Sequence, residues 1–219
     1  MHPRFTRTLA PLLAASSLLA GCSGVVKNLN SAQVKAPAIT VDNALGLSGQ
    51  TVTRVPATGT TPAVQTYTFP NQSPINQADV QSATLALTLN PAVAVAAPAS
   101  TTLPATFTLN TLSVTPQASK LGTGGAATST VTLSPLTLAA PVTFTQTAAG
   151  TYTASAPLTL SQATPTAGAD VQTLVGLITS GTDSNQAVLT ISAASAGLPA
   201  GSTLDFTVGS SQIVVRTGS

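Results

Sequence analysis

The sequence predicts a mainly β domain, an antiparallel β-sandwich with one short helix, on three observations. Short runs of the chain alternate apolar and polar residues, the period of a half-buried strand. Threonine, which is β-branched and suits a pleated surface, occurs 38 times in 219 residues. Prolines and glycines punctuate the intervals between the runs. Composition excludes other classes. Charged residues make up 5% of the chain, with five Asp and no Glu, so a clustered basic nucleic-acid surface and an acidic disordered tail are both ruled out. One Cys cannot build a disulfide scaffold.

The N-terminus reads as an address. Arg4 and Arg7 precede an apolar stretch over residues 9–20, too short for a spanning helix of about 20 residues. Positive charge, a short apolar segment and a small-residue ending form a secretory signal. The ending, Leu19-Ala20-Gly21-Cys22, resembles the bacterial lipobox at all four positions. The resemblance implies cleavage between Gly21 and Cys22, diacylglycerol on the Cys22 thiol, and an acyl chain such as palmitate on the new amino group. It thereby implies a lipoprotein of the cell envelope, held to a membrane through Cys22 and lying outside the cytoplasm. Two or more acyl chains are needed for stable anchoring. Ser23, where inner-membrane lipoproteins carry Asp, points by the same analogy to the outer membrane of a diderm cell.

Three segments follow: residues 1–21 as signal peptide, 22–37 as lipidated Cys and flexible tether, and 38–219 as the folded domain. Removing the signal takes His2, Arg4 and Arg7 with it. The remainder carries five Lys or Arg against five Asp. The basic character of the full sequence therefore argues for no nucleic-acid or acidic-lipid partner.

Along the body, the first strands are expected at 51–55 and 64–69. Leu85, Leu87 and Leu89 then alternate with Ala86 and Thr88, and Phe107 and Leu109 with Thr106 and Thr108. Val131 and Leu133 alternate with Thr130 and Thr132. Shorter runs occupy 142–145, 151–154, 158–160 and 187–191, with Pro91, Pro116, Gly122, Gly124, Gly125 and Gly150 among the breaks. Residues 169–179 instead place Val171, Leu174, Val175 and Ile178 at helical spacing, with Asp170 suited to the positive helix start. A hairpin is expected last: Gly209-Ser210 separates 204–208 from 211–216, and Gly first in a two-residue loop suits a type II′ turn. About ten short strands so punctuated suggest a sandwich of immunoglobulin-like kind. Thr88-Leu89-Asn90-Pro91 after an alternating strand resembles the strand-then-Asn-Pro feature of the desiccation-associated LEA/WHy sandwiches, which implies the same fold class.

Chemistry-bearing groups are scarce. After signal removal no His and no Glu remain, and Cys22 is expected to be lipidated, so His-based triads and His or Cys zinc sites have no donors. Ser119-Lys120 is a formal Ser-Lys pair, but neighbours in a chain need not face each other. Asp183-Ser184-Asn185 is better read as a turn than as part of a calcium loop. Gly122-Thr123-Gly124-Gly125 lacks the Lys-Ser/Thr ending of a phosphate loop. Asn71-Gln72-Ser73 fits a glycosylation triplet, of little weight in a bacterial lipoprotein. The expectation is a non-catalytic envelope lipoprotein with a structural or protein-interaction role, needing no cofactor and no metal. The alternative is a carrier or chaperone for an apolar ligand held between the sheets. Edges 51–55 and 211–216 are the expected sites of strand-to-strand contact.

Overall fold

The computed structural model describes residues 38–59, 61–69, 80–179 and 184–217. In chain order its strands are β1 (Ile39–Asp42), β2 (Thr51–Pro56), β3 (Ala63–Phe69), β4 (Val80–Ala96), β5 (Thr106–Leu121), β6 (Ala127–Thr132) and β7 (Leu136–Leu138). There follow β8 (Val142–Ala148), β9 (Thr151–Ala154), β10 (Leu158–Gln162), β11 (Thr166–Ala167), helix α1 (Ala169–Thr179), β12 (Ser184–Ala196) and β13 (Thr203–Thr217). The described residues are mainly β with one short helix, a single large antiparallel sheet folded into a sandwich-like body.

Four long strands build the two layers. β4 pairs with β13, and β5 with β12, each along nearly its whole length. Leu87 and Leu89 of β4, with Phe206 of β13, meet Leu112 and Val114 of β5 and Leu189 of β12 around one small space. The layers join along one side. There β10 and β9 on the edge of β4 pair with β7 and β8 on the edge of β5. Next to them, β11 on β4 and β6 on β5 make no pair with each other. Helix α1 lies against both and closes the core there with Val171, Leu174, Val175, Leu177 and Ile178 buried. Gln172 Nε2 donates to the Val80 carbonyl at 2.6 Å, and Asn185 Nδ2 to the Leu177 carbonyl at 3.0 Å, pinning the helix to β4 and β12. The helix spans the predicted 169–179, with Asp170 in its first turn.

The expected hairpin at Gly209-Ser210 does not form: both residues lie inside β13. Residues 204, 206 and 208 are buried, and then 211, 213 and 215. That switch from even to odd positions marks one extra residue, and the register against β4 moves from Val208↔Leu89 to Ser210↔Thr88. A turn and a one-residue bulge both interrupt alternation at a glycine, and here the bulge is realised. A Cβ at Gly209 would sit 2.6 Å from Oδ1 at the tip of the exposed Asn90 side chain and 3.3 Å from the Thr88 carbonyl oxygen, so a side chain there displaces Asn90. Asn90 and Pro91 are the matching irregularity on β4, where the register passes from Phe206↔Val93 to Val208↔Leu89.

Pro91 and Pro116, expected as breaks, are likewise inside strands. Pro116 faces Leu189 of β12, while its carbonyl accepts from Leu133 N–H at 2.8 Å on the opposite edge. Its nitrogen points to that same opposite edge. There β7 has ended and β6 has not begun, so the missing donor costs no ladder bond.

Candidate functional site

Of the residues singled out by the sequence, Gly21 and Cys22 lie outside the described residues, as do Asn71, Gln72, Ser73, Asp79 and Asp183. The others are not brought together. Ser119 and Lys120 are consecutive on β5, whose pleat sends them to opposite faces, and Ser119 Oγ is 3.0 Å from Thr130 Oγ1. Asp42 accepts from Gln212 Nε2 at 2.9 Å, and Asp205 accepts from the Arg54 N–H at 2.6 Å. These partners are seven residues apart on β13, roughly 23 Å along the strand. Asp170 stands exposed at the start of α1. Ser184 and Asn185 are strand rather than turn, and Asn185 is buried as an anchor for the helix. Gly122 to Gly125 form the β5–β6 turn, closed by Gly122 N–H to the Ala126 carbonyl at 2.9 Å. Among the described residues, no three His, Cys, Asp or Glu side chains gather as a metal-binding group.

The geometry with functional content lies along the outer edges of β13 and β12. There β2, on β13, and β3, on β12, run antiparallel, yet the bonds between them come from side chains. Gln65 Nε2 donates to the Thr53 carbonyl at 3.1 Å, and Tyr67 Oη to the Thr51 carbonyl at 3.0 Å. Burial at this seam pushes the Tyr67 phenol above its ordinary pKa. Beside it β2 bulges: the register against β13 shifts between Leu204↔Val55 and Phe206↔Val52. Arg54 adopts a left-handed φ of 56°, and its N–H is the one taken by Asp205. The seam thus carries an exposed cation, a bulge and two bridging side chains, the devices that keep an edge from pairing with foreign strands.

Farther along the same edge of β13, β1 pairs, among the described residues, with β13 alone. The Asn43 N–H donates to the Ser211 carbonyl at 2.7 Å, which sets the phase of this ladder. Counting back in twos, Val41 and Ile39 turn their main chain to β13, whereas Thr40 and Asp42 turn theirs to the outer edge. No described strand lies there. The segment contains neither Lys nor Pro nor a bulge. Ile39, on the face of β1 that Val41 packs into the core, is 43% exposed. The expected edge at 211–216 is corrected by this arrangement: it is an interior segment, flanked by β1 and β4. The other expected edge, 51–55, is β2, on the outer edge of β13 but covered by the seam.

Among the described residues, one space between the layers is small. The space between the layers behind Leu87, Leu112 and Leu189 measures about 10 Å³, the scale of one water molecule. One end of the core is set by rings: Phe107 stacks on Phe144 with centroids 4.9 Å apart, and Tyr152 meets Phe107 edge-on at 5.1 Å. The Tyr152 hydroxyl donates to the Pro104 carbonyl, and burial raises its pKa. A sequence signal for this cluster exists in the shared Thr-aromatic-Thr pattern of residues 106–108, 143–145 and 151–153, which β5, β8 and β9 lay side by side. The seam and the open edge have no such signal, because both depend on which strands become neighbours.

Among the described residues no helix is long and apolar enough to cross a membrane. Compared with known proteins, the chain matches no family model, no curated protein and no solved structure.

Proposed function

We propose that this chain is a lipid-anchored, non-catalytic envelope protein whose β body makes protein–protein contacts through main-chain pairing. The observation that carries the reading is the outer edge of β1, along which no described strand lies, on a strand that begins directly after the proposed tether from Cys22. Strand addition needs little more than such an edge: main-chain bonds supply affinity, and alternate side chains supply selectivity. The near-absence of charge supports it, since little repulsion opposes approach of another surface. A structural or interaction role also agrees with the described Asp side chains, of which Asp42 and Asp205 are engaged locally and Asp170 is exposed. The space behind Leu87, Leu112 and Leu189, at about 10 Å³, is too small to hold an apolar cargo.

The test is in vivo cross-linking of membranes carrying the full chain, compared with Thr40→Pro. The Thr40 N–H faces outward, so proline there removes an edge donor while sparing the bonds to β13. Loss of cross-linked partners with the fold retained supports the reading. Unchanged partner capture contradicts it.

A further inference from the structure

We propose that the partner of the β1 edge is a second copy of this chain, paired antiparallel so that Thr40 of each copy lies opposite Asp42 of the other. The inference rests on the membrane-anchored interaction reading above and names the partner of that same edge.

The phase of the β1–β13 ladder leaves two outward-facing residues, Thr40 and Asp42, spaced by two. That spacing is one repeat of an antiparallel ladder. Placed against itself, the edge matches without any other sequence: each Thr40–Asp42 pair exchanges two main-chain bonds, and the two-fold axis passes midway between the two Val41 residues. A two-fold contact is self-complementary by construction, and a single unguarded strand suffices for it. Side chains agree with this register. Thr40 and Asp42 share the solvent face, so each carboxylate meets a hydroxyl of the other copy directly across rather than a second carboxylate. On the inner face, the exposed Ile39 falls diagonal to Val41 of the other copy, which gives it an apolar neighbour.

The anchor permits the arrangement. Antiparallel pairing sends the two chains out at opposite ends of the joined strands. The 16 residues from Cys22 to Pro37 reach up to about 50 Å when extended, so both lipids attain one membrane. Four main-chain bonds are too few to offset the entropy of association between free molecules. Confinement to a membrane raises the effective concentration, and pairing is expected there.

Single-cysteine cross-linking of the full, membrane-borne protein tests this. With Cys22 acylated, Val41→Cys supplies the only free thiol. Its counterpart across the axis lies at a non-bonded pair, about 4.5 Å away between Cα atoms, within disulfide range. Ile39→Cys is the control. It is more exposed, but its counterpart is four residues along the strand, roughly 13 Å away. Under mild oxidation Val41→Cys is expected to give at least tenfold more homodimer than Ile39→Cys, and Thr40→Pro in the same chain is expected to abolish it. Random collision predicts the reverse order, because Ile39 is the more exposed position. Equal or greater dimer from Ile39→Cys, a membrane-bound Val41→Cys that stays monomeric, or a disulfide to some other protein overturns the inference. Protein absent from membranes fails the underlying reading instead, and the two failures are told apart by fractionating the same sample.

Discussion

The Gln65 side-chain amide on β3 donates to the main-chain carbonyl of Thr53 on β2 at 3.1 Å, and it does so where a hairpin would place a main-chain donor. Two residues on, Tyr67 repeats the contact to Thr51. The antiparallel order is kept, since Thr53 faces Gln65 and Thr51 faces Tyr67, but side chains stand in for the ladder. The outer edges of β13 and β12 are thereby bridged through β2 and β3, while among the described residues no strand lies along the outer edge of β1.

Removing these bridges weakens the seam without emptying the core. Gln65→Ala and Tyr67→Phe each delete one hydrogen bond, and each is expected to lower stability by about 1 kcal/mol. Denaturant titration of the body lacking residues 1–22 measures this. Wild-type stability in both variants contradicts a closing role for the seam.

Alkaline pH is expected to loosen the fold. Burial favours the neutral phenols of Tyr67 and Tyr152, so both folded-state pKa values lie above the ordinary 10.0. Their contribution is complete below pH 10. It falls as pH rises through and above 10, because the unfolded chain then loses protons that the folded chain retains. Tyr67→Phe should flatten this fall relative to wild type in unfolding measured from pH 8 to 11.5 or so, in line with the unperturbed tyrosine value of about 10.

The bulge explains a glycine. Gly209→Ala places a methyl 2.6 Å from Asn90 Oδ1 and 3.3 Å from the Thr88 carbonyl oxygen; the exposed Asn90 side chain can turn aside, so the expected cost is below the roughly 1–3 kcal/mol of core overpacking. Asn90→Gly in the same chain removes the obstructing atom and should recover much of the loss. Strictly additive effects in the double-mutant cycle contradict the contact.

The Arg54 turn gives a change of opposite sign. Arg54 holds a left-handed backbone at φ 56°, a conformation that costs a side-chain-bearing residue about 1 kcal/mol. Arg54→Gly relieves that strain and is expected to be neutral or stabilising. Asp205→Ala, which strips the Arg54 N–H of its acceptor, is expected to destabilise by about 1 kcal/mol while leaving partner capture intact. A thermal melt of each variant decides both.

Much of this fold was legible because alternation is a local property. The runs at 51–55, 64–69, 142–145 and 151–154 became β2, β3, β8 and β9, and the helical spacing of Val171, Leu174, Val175 and Ile178 became α1. What sequence could not supply was pairing. Gly209-Ser210 breaks alternation as a turn would, and only the neighbouring Asn90-Pro91 irregularity on β4 makes it a bulge. Residues 211–216 read as an edge until β1 and β4 are seen on either side. Pro116 looks like a break, yet it sits where β7 hands over to β6 and no donor is missed. The open edge was hidden for the same reason. Thr40 and Asp42 are unremarkable residues until the Asn43–Ser211 bond assigns their main chain to the outside.

The anchor is decided by the mass of the N-terminal peptide of the protein extracted from bacterial membranes. The account predicts a chain that begins at Cys22, with a diacylglyceryl group on the thiol, and that becomes unlipidated and leaves the membrane in Cys22→Ser. A membrane-extracted chain that begins elsewhere, or that carries an unmodified Cys22, contradicts it.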